Sequence, residues 1–487
     1  MKNTKTESRD LKEVSTSAGK NQGIRPTHEN AAGIDIGSTF HFIAVGAEAV
    51  GPGESPIRRF GAFTHELDEA VQWLKACKVK TVAMESTGVY WIPLFQKIEA
   101  AGMEALLVNA RDLRNVPGRR KSDVADCQWI QQLHAFGLLN GAFRPEDGIC
   151  RMRTIMRHRA NLVASAGQQV QLMQKALQQM NILLHHVVSD LDGETGLRIL
   201  DAIIAGERDP KVLVGLRDVR IRRSTPQNME AALQGDWRPE QLFVLGQCLE
   251  AYRFFQTHIA ECDVHLQEIM NQMVAELAVK EAVDQVEAES QAAQASPSQP
   301  DEPAKKKKNK KAGNAPSIDL ASQLKTLVGI DLTETIGISV LGSLILISEI
   351  GMDMSAWRSE KAFASWLGLS PNHKISGGKI LSNRTRPVAN RAASVLRLMA
   401  LSVGKTDTVL GHFYRRIRAR AGAPKAITAT ARKLACLVYH LIKHKKPYVE
   451  PDLAKYLERF EKQRVLNLAR QAKTLGFQMV PIKAFAE

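Results

Sequence analysis

The sequence predicts an α/β domain with a mixed sheet, then a helical, coiled-coil-like middle, then an all-α basic domain. Three observations predict it. Between residues 31 and 146, short apolar runs closing on turns or carboxylates alternate with helical periodicity. From about 147 to 285, apolar residues recur at spacings of three and four. Between 371 and 448 there are 17 Lys or Arg and one acid, Asp407.

Element by element, residues 1–30 read as a disordered leader. The first domain, 31–146, has strands at 32–37, 40–46, 57–63, 80–85 and 104–109, and helices at 66–77, 89–101 and 122–137. Its first three strands follow closely, as in a hairpin meander; the later ones alternate with helices. In the helical region 147–285, an apolar stripe runs from Ile155 through Met173, Leu177 and Leu184 to Val187, on a helix of roughly 35 residues. Such a stripe joins subunits or packs inside one chain, and its length and Gln- and Arg-rich flanks favour joining subunits. A second long helix near 239–282 is expected to pack back on it. Residues 286–317 are low-complexity Ala/Ser/Pro/Lys sequence, read as a disordered linker, with a lysine run at 305–311. The basic domain spans 318–450, and a helical tail 451–487.

A chain of 487 residues is long enough for two or three domains. Its net charge of +15 and pI near 9.5 point to a polyanionic partner, nucleic acid first. The longest apolar stretch, 336–348, stops at Glu349 and is too short to span a membrane. The N-terminus lacks the apolar core of a signal peptide. Six scattered cysteines without a CxxC pair read as reduced thiols, hence a cytoplasmic, nucleoid-associated protein without a zinc site.

Four carboxylates carry the chemistry. Asp35 closes the run AAGIDIGS, Glu85 closes KTVAMESTG, and Asp123 and Asp126 lie three apart in RRKSDVADCQWI. A strand that is apolar to its tip is buried in the sheet, so an acid there stands at the sheet's edge. Residues three apart on a helix share a face. Each has an ordinary alternative: a turn for Asp35, helix capping for Glu85 and Asp123, a solvated helix face for Asp126. Their order, two strand tips and then a helix pair, is that of an RNase H-like metal site. Close carboxylates repel unless divalent cations neutralise them. Two such ions about 4 Å apart stabilise the attacking and leaving oxygens of phosphoryl transfer.

In the basic domain, NHKISGGKILSNRTR places Ser376 before two glycines, among Lys374, Lys379, Arg384 and Arg386; YRRIRAR adds Arg415, Arg416 and Arg418. Glycines let backbone approach phosphate. The serine suits a phosphodiester nucleophile, but on residues alone a plain phosphate-binding turn ranks first.

The segments GIDIGST, AMESTGVYW, NVPGRRKSDVADCQW and WLGLSPNHKISGGK have a family behind them. The chain resembles the DEDD-type transposases of the insertion sequence 110 family, also called bridge-RNA-guided recombinases. The resemblance implies a RuvC-like first domain whose Asp35, Glu85, Asp123 and Asp126 bind Mg²⁺. It also implies Ser376 as the nucleophile that holds DNA as a covalent phosphoserine, with Ser382 and Ser394 close by. It further implies a homo-oligomer, dimer or tetramer, in which one subunit's acids join another's serine. A structured guide RNA would pair with donor and target DNA. LVGIDLTETIGISV is only loosely similar to the Gly-Ile-Gly hairpin common ahead of the serine domain. The competing functions are a junction-resolving hydrolytic nuclease using water with the same acids, and a catalytically inactive nucleic-acid-binding derivative.

Overall fold

The computed structural model describes residues 26–86, 88–109, 122–220, 224–289, 315–316 and 318–480. The chain forms two compact units, Met1–Arg144 and Pro145–Glu487.

In the first unit, β1 (Ala31–Ile36), β2 (Phe40–Ala44), β3 (Ile57–Gly61), β4 (Thr81–Glu85) and β5 (Glu104–Val108) form one sheet in the order β3-β2-β1-β4-β5. β1 pairs antiparallel with β2 and parallel with β4, and β4 pairs parallel with β5. This is the mixed, RNase H-like sheet the sequence predicts, with element ends within two residues of those expected. Helices α1 (Thr64–Ala76) and α2 (Trp91–Ala100) cover one face. There Ile34, Met84 and Leu107 pack with Leu74, Leu94 and Ile98. Helix α3 (Asp123–Ala135) covers the other face, its Ile130 and Leu133 meeting Ala83 and Val108. The leader expected at 1–30 lies outside the described residues up to 25. Its last residues are tied down: His28 N–H donates to the Ala135 carbonyl, and its ring stacks on His134 at 4.8 Å.

In the second unit, α4 (Asp147–Gln179) and α9 (Pro239–Glu289) run antiparallel. They are pinned by the buried Arg159–Asp263 pair, with Nε–Oδ1 at 2.6 Å, and by Arg151–Gln272. Helices α5 (Leu184–Val187), α6 (Glu194–Ile204), α7 (Pro210–Gly215) and α8 (Pro226–Ala232) cap one end. The predicted subunit-joining stripe needs correction. It breaks at Asn181, which turns the chain at φ 56°, so Leu184 and Val187 sit on α5. Met173, Leu177 and Leu184 are 0 % exposed and pack against Leu245, Leu249 and Tyr252 of the same chain. An apolar stripe with a partner helix in its own chain has no face left for another subunit at those positions.

The remainder comprises α10 (Ala321–Val328), α11 (Val340–Ile350), α12 (Glu360–Trp366), β6 (Lys374–Ser376), β7 (Lys379–Ser382), α13 (Arg391–Val403), α14 (Val409–Ala421), α15 (Ala423–His444) and α16 (Leu453–Thr474). Three expectations change here. The basic domain is not all-α, because β6 and β7 form a hairpin around the serine. α9 continues to Glu289, past the expected linker start; 290–314 and 317 lie outside the described residues. The helical middle and basic domain form one unit: Arg157 holds Glu349 through two hydrogen bonds of 2.9 and 2.7 Å, and Arg153 donates to the Ser348 and Glu349 carbonyls. The expected tail contains α16, which buries none of its residues; 481–487 lie outside the description. Among the described residues, no helix is long and apolar enough to cross a membrane.

Candidate functional site

Strand pairing determines where two of the four acids stand. Ile34 of β1 is in register with Met84 of β4 in a parallel ladder, so Asp35 and Glu85 are the next neighbours on it. Side chains directly opposite on neighbouring strands lie on one face. Gly33 and Ala83, two residues back on each strand, face α3; Asp35 and Glu85 therefore face α3 as well. Both are half-buried.

Helix α3 brings a third acid to this face. Ser122, not Asp123, caps its N-terminus by accepting from Ala125 N–H, and Asp123 and Asp126 lie in the first turn. Such carboxylates are also favoured by the helix dipole. The helix presses directly on β1: a Cβ at Gly33 would lie 2.1 Å from Gln131 N and 2.6 Å from the Cys127 carbonyl. Only glycine allows that approach. At the far end His134 bonds Thr81 at 2.9 Å. Cys127, buried between helix and sheet, reports the field. Burial first, then Asp35 and more weakly Asp126, push its thiol up to about 12.

Asp35 and Glu85 thus share the sheet face that α3 covers, and Asp126 (half-buried) and Asp123 (exposed) stand in the first turn of that helix. Among the described residues, no three His, Cys, Asp or Glu side chains are gathered tightly enough to form a ready-made metal group. The donor chemistry nevertheless fits magnesium: all four are carboxylates, and hard divalent cations prefer oxygen. The segment 110–121, which leads into α3, lies outside the described residues.

Ser376 is the last residue of β6 and pairs with Lys379 across the turn Gly377–Gly378. Both glycines have positive φ, 54° and 75°, as a two-residue hairpin turn of this hand requires. The turn leaves Ser376 exposed at the hairpin tip, with Lys374 and Lys379 exposed beside it. The rival hydroxyls are engaged locally: Ser382 accepts from Arg384 N–H, and Ser394 donates to the Asn390 carbonyl.

The predicted basic residues divide into two kinds. Lys374, Lys379, Arg384 and Arg418 are exposed. Arg415 donates to the Thr406 carbonyl at 2.6 Å and pairs with Asp407, so it braces the loop before α14. Arg416 lies over Phe460 at 4.5 Å, and Arg386 donates to the Trp366 carbonyl. Sequence reasoning missed Gly33, whose signal is a glycine inside an apolar strand. It also missed a groove between the hairpin base, α14 and α15, for which the count of cations was the only hint.

An RNase H-like sheet carrying acids on its helix-covered face, in one chain with a strongly basic helical domain, is the architecture of a protein that acts on polynucleotides. Residues 32–182 match the family model described as a transposase, of the DEDD type of IS110. Residues 331–415 match the model described as Transposase IS116/IS110/IS902 family. No curated protein matches the chain. The chain belongs to the IS110 family of DEDD transposases, and it is a DNA transposase.

Proposed function

We propose that this transposase cuts and rejoins DNA through a phosphoserine at Ser376, with Asp35, Glu85, Asp123 and Asp126 as ligands for a pair of Mg²⁺ ions. The register that sets Asp35 beside Glu85, on the sheet face covered by the helix that begins with Asp123 and Asp126, supports the reading. The exposed hairpin tip supports Ser376. When bound, magnesium supplies charge stabilisation to the attacking and leaving oxygens. The chain's own residues do the rest. The carboxylates hold and orient the cation site. Lys374 and Lys379 neutralise the phosphate at the hairpin tip. The Ser376 hydroxyl gives up its proton, its Oγ–P bond forms, and the P–O bond to a deoxyribose oxygen breaks; that oxygen leaves and takes up a proton. The serine ester conserves the phosphodiester's energy, so another strand's hydroxyl reseals DNA without ATP. A structured guide RNA selecting donor and target, and a homo-oligomer, complete the reading on the strength of family resemblance.

The test is a denaturing-gel search for a protein–DNA adduct on the natural substrate, with guide RNA and Mg²⁺. Wild type should form one. Ser376→Ala and Asp126→Ala should bind nucleic acid and form none. An adduct with Ser376→Ala would move the nucleophile to another hydroxyl, and cleavage without any adduct would favour the hydrolytic nuclease.

A further inference from the structure

Beside the serine hairpin lies a groove of about 1350 Å³, walled by the hairpin base, α14 and α15. It exceeds the roughly 300–1,000 Å³ of a small-molecule site, leaving room for a nucleotide with its flanking phosphates. Leu369, Pro371, Leu410 and Phe413 supply apolar surface, and Arg384, Arg420, Lys425, Arg432 and Lys433 supply charge. No acid lines it. The Lys433 ammonium sits 4.4 Å over the Phe413 ring. Desolvation, and then the neighbouring Arg416, hold that ammonium below its usual lysine value. The Arg432 Nε is buried without a hydrogen-bond partner. An apolar floor under a mainly cationic rim suits a base with its phosphate attached. It suits a basic protein segment poorly, since cations dominate the rim.

We propose that this groove receives one unstacked nucleotide of single-stranded DNA, the base on the apolar surface of Leu369, Pro371 and Leu410 and the phosphate on Arg432 and Lys433. This rests on the reading of the basic domain as the DNA-handling part of the transposase. The Pro371–Thr385 bridge lies at the groove. From Pro371 to Ser376 is roughly 17 Å of strand, about five steps of stacked DNA. The groove would thus hold the strand out of its duplex a few nucleotides from the phosphate that Ser376 attacks.

The experiment scans 2-aminopurine through single-stranded oligonucleotides bound to the full chain. Fluorescence should rise several-fold at one position, where the base leaves its stack. Ala429→Trp fills the groove and removes no cation; it should abolish that rise and lower the ratio of single-strand to duplex affinity about tenfold. Arg432→Gln should weaken single-strand binding by a similar factor. Because a bulky variant can misfold, a second measurement uses wild type alone: 5-iodouracil at the bright position should photo-cross-link within residues 409–451. No bright position, a rise unchanged by Ala429→Trp in a folded protein, or cross-links only elsewhere would overturn the proposal. So would DNA-independent cross-links from Lys433 into a second copy, which would assign the groove to protein. Adduct formation at Ser376 is read separately, so a dark groove with an intact adduct sinks this inference alone, and a bright groove without an adduct sinks only the proposed function.

Discussion

Gly33→Ala is the sharpest test of how the acids are held. The new Cβ would sit 2.1 Å from the Gln131 backbone nitrogen and 2.6 Å from the Cys127 carbonyl, against 3.4 Å or more in ordinary contact. Both obstacles are backbone, so no side-chain rotation relieves them. Helix α3 must retreat from β1 by about 1 Å, the kind of overpacking that costs about 1–3 kcal/mol. The first unit should therefore melt on the order of 5–15 °C lower by calorimetry. The same retreat carries Asp126 away from Asp35 and Glu85. A misplacement of about 1 Å costs about 100-fold in rate where reacting groups must be aligned. Single-turnover strand cleavage, measured well below the melting point, should fall by that factor although the protein is folded. Gly51→Ala is the control: its nearest neighbour is the Glu54 side chain at 3.7 Å, and both readouts should stay at wild type. If Gly33→Ala melts and cleaves like wild type, the close approach of α3 does not position the acids, and the account of the site fails.

Three further outcomes follow from the packing. His134 is buried, and burial, then His28, hold its imidazole down to about 4. The unfolded chain takes up that proton more readily, so stability should be full above pH 6.5 and fall toward pH 4 by about 3 kcal/mol in total; urea unfolding of His134→Gln should lack that component. Asp263→Ala leaves the Arg159 guanidinium buried without its carboxylate and should cost about 3–5 kcal/mol, while Arg159→Met with Asp263→Leu should recover most of it in the same assay. Leu177→Asp should unfold the helical region rather than release folded monomers, and a well-folded monomer by light scattering and circular dichroism would restore the subunit-joining stripe.

Much of the first unit was legible because its signals are local. Strands β1 and β4 are apolar until their acids, and the helices keep a regular period, so composition and spacing found all five strands and α1 to α3. The positions of the four carboxylates near element ends were legible for the same reason. The stripe on α4 was legible as a helix but not as an interface, since periodicity says that a face is covered and never by which chain. The hairpin at Ser376 escaped because two short exposed strands bury too little to leave an alternating pattern. Only the fold decided that Asp35 and Glu85 lie side by side under α3: strand register and the glycine-sized gap at Gly33 set it, the latter through contacts nearly a hundred residues apart. The groove is likewise tertiary, because Arg384 and Arg432 come together only when the hairpin base packs beside α15. Sequence carries what each residue prefers, whereas a site depends on the distances between residues, and those exist only once the chain has packed.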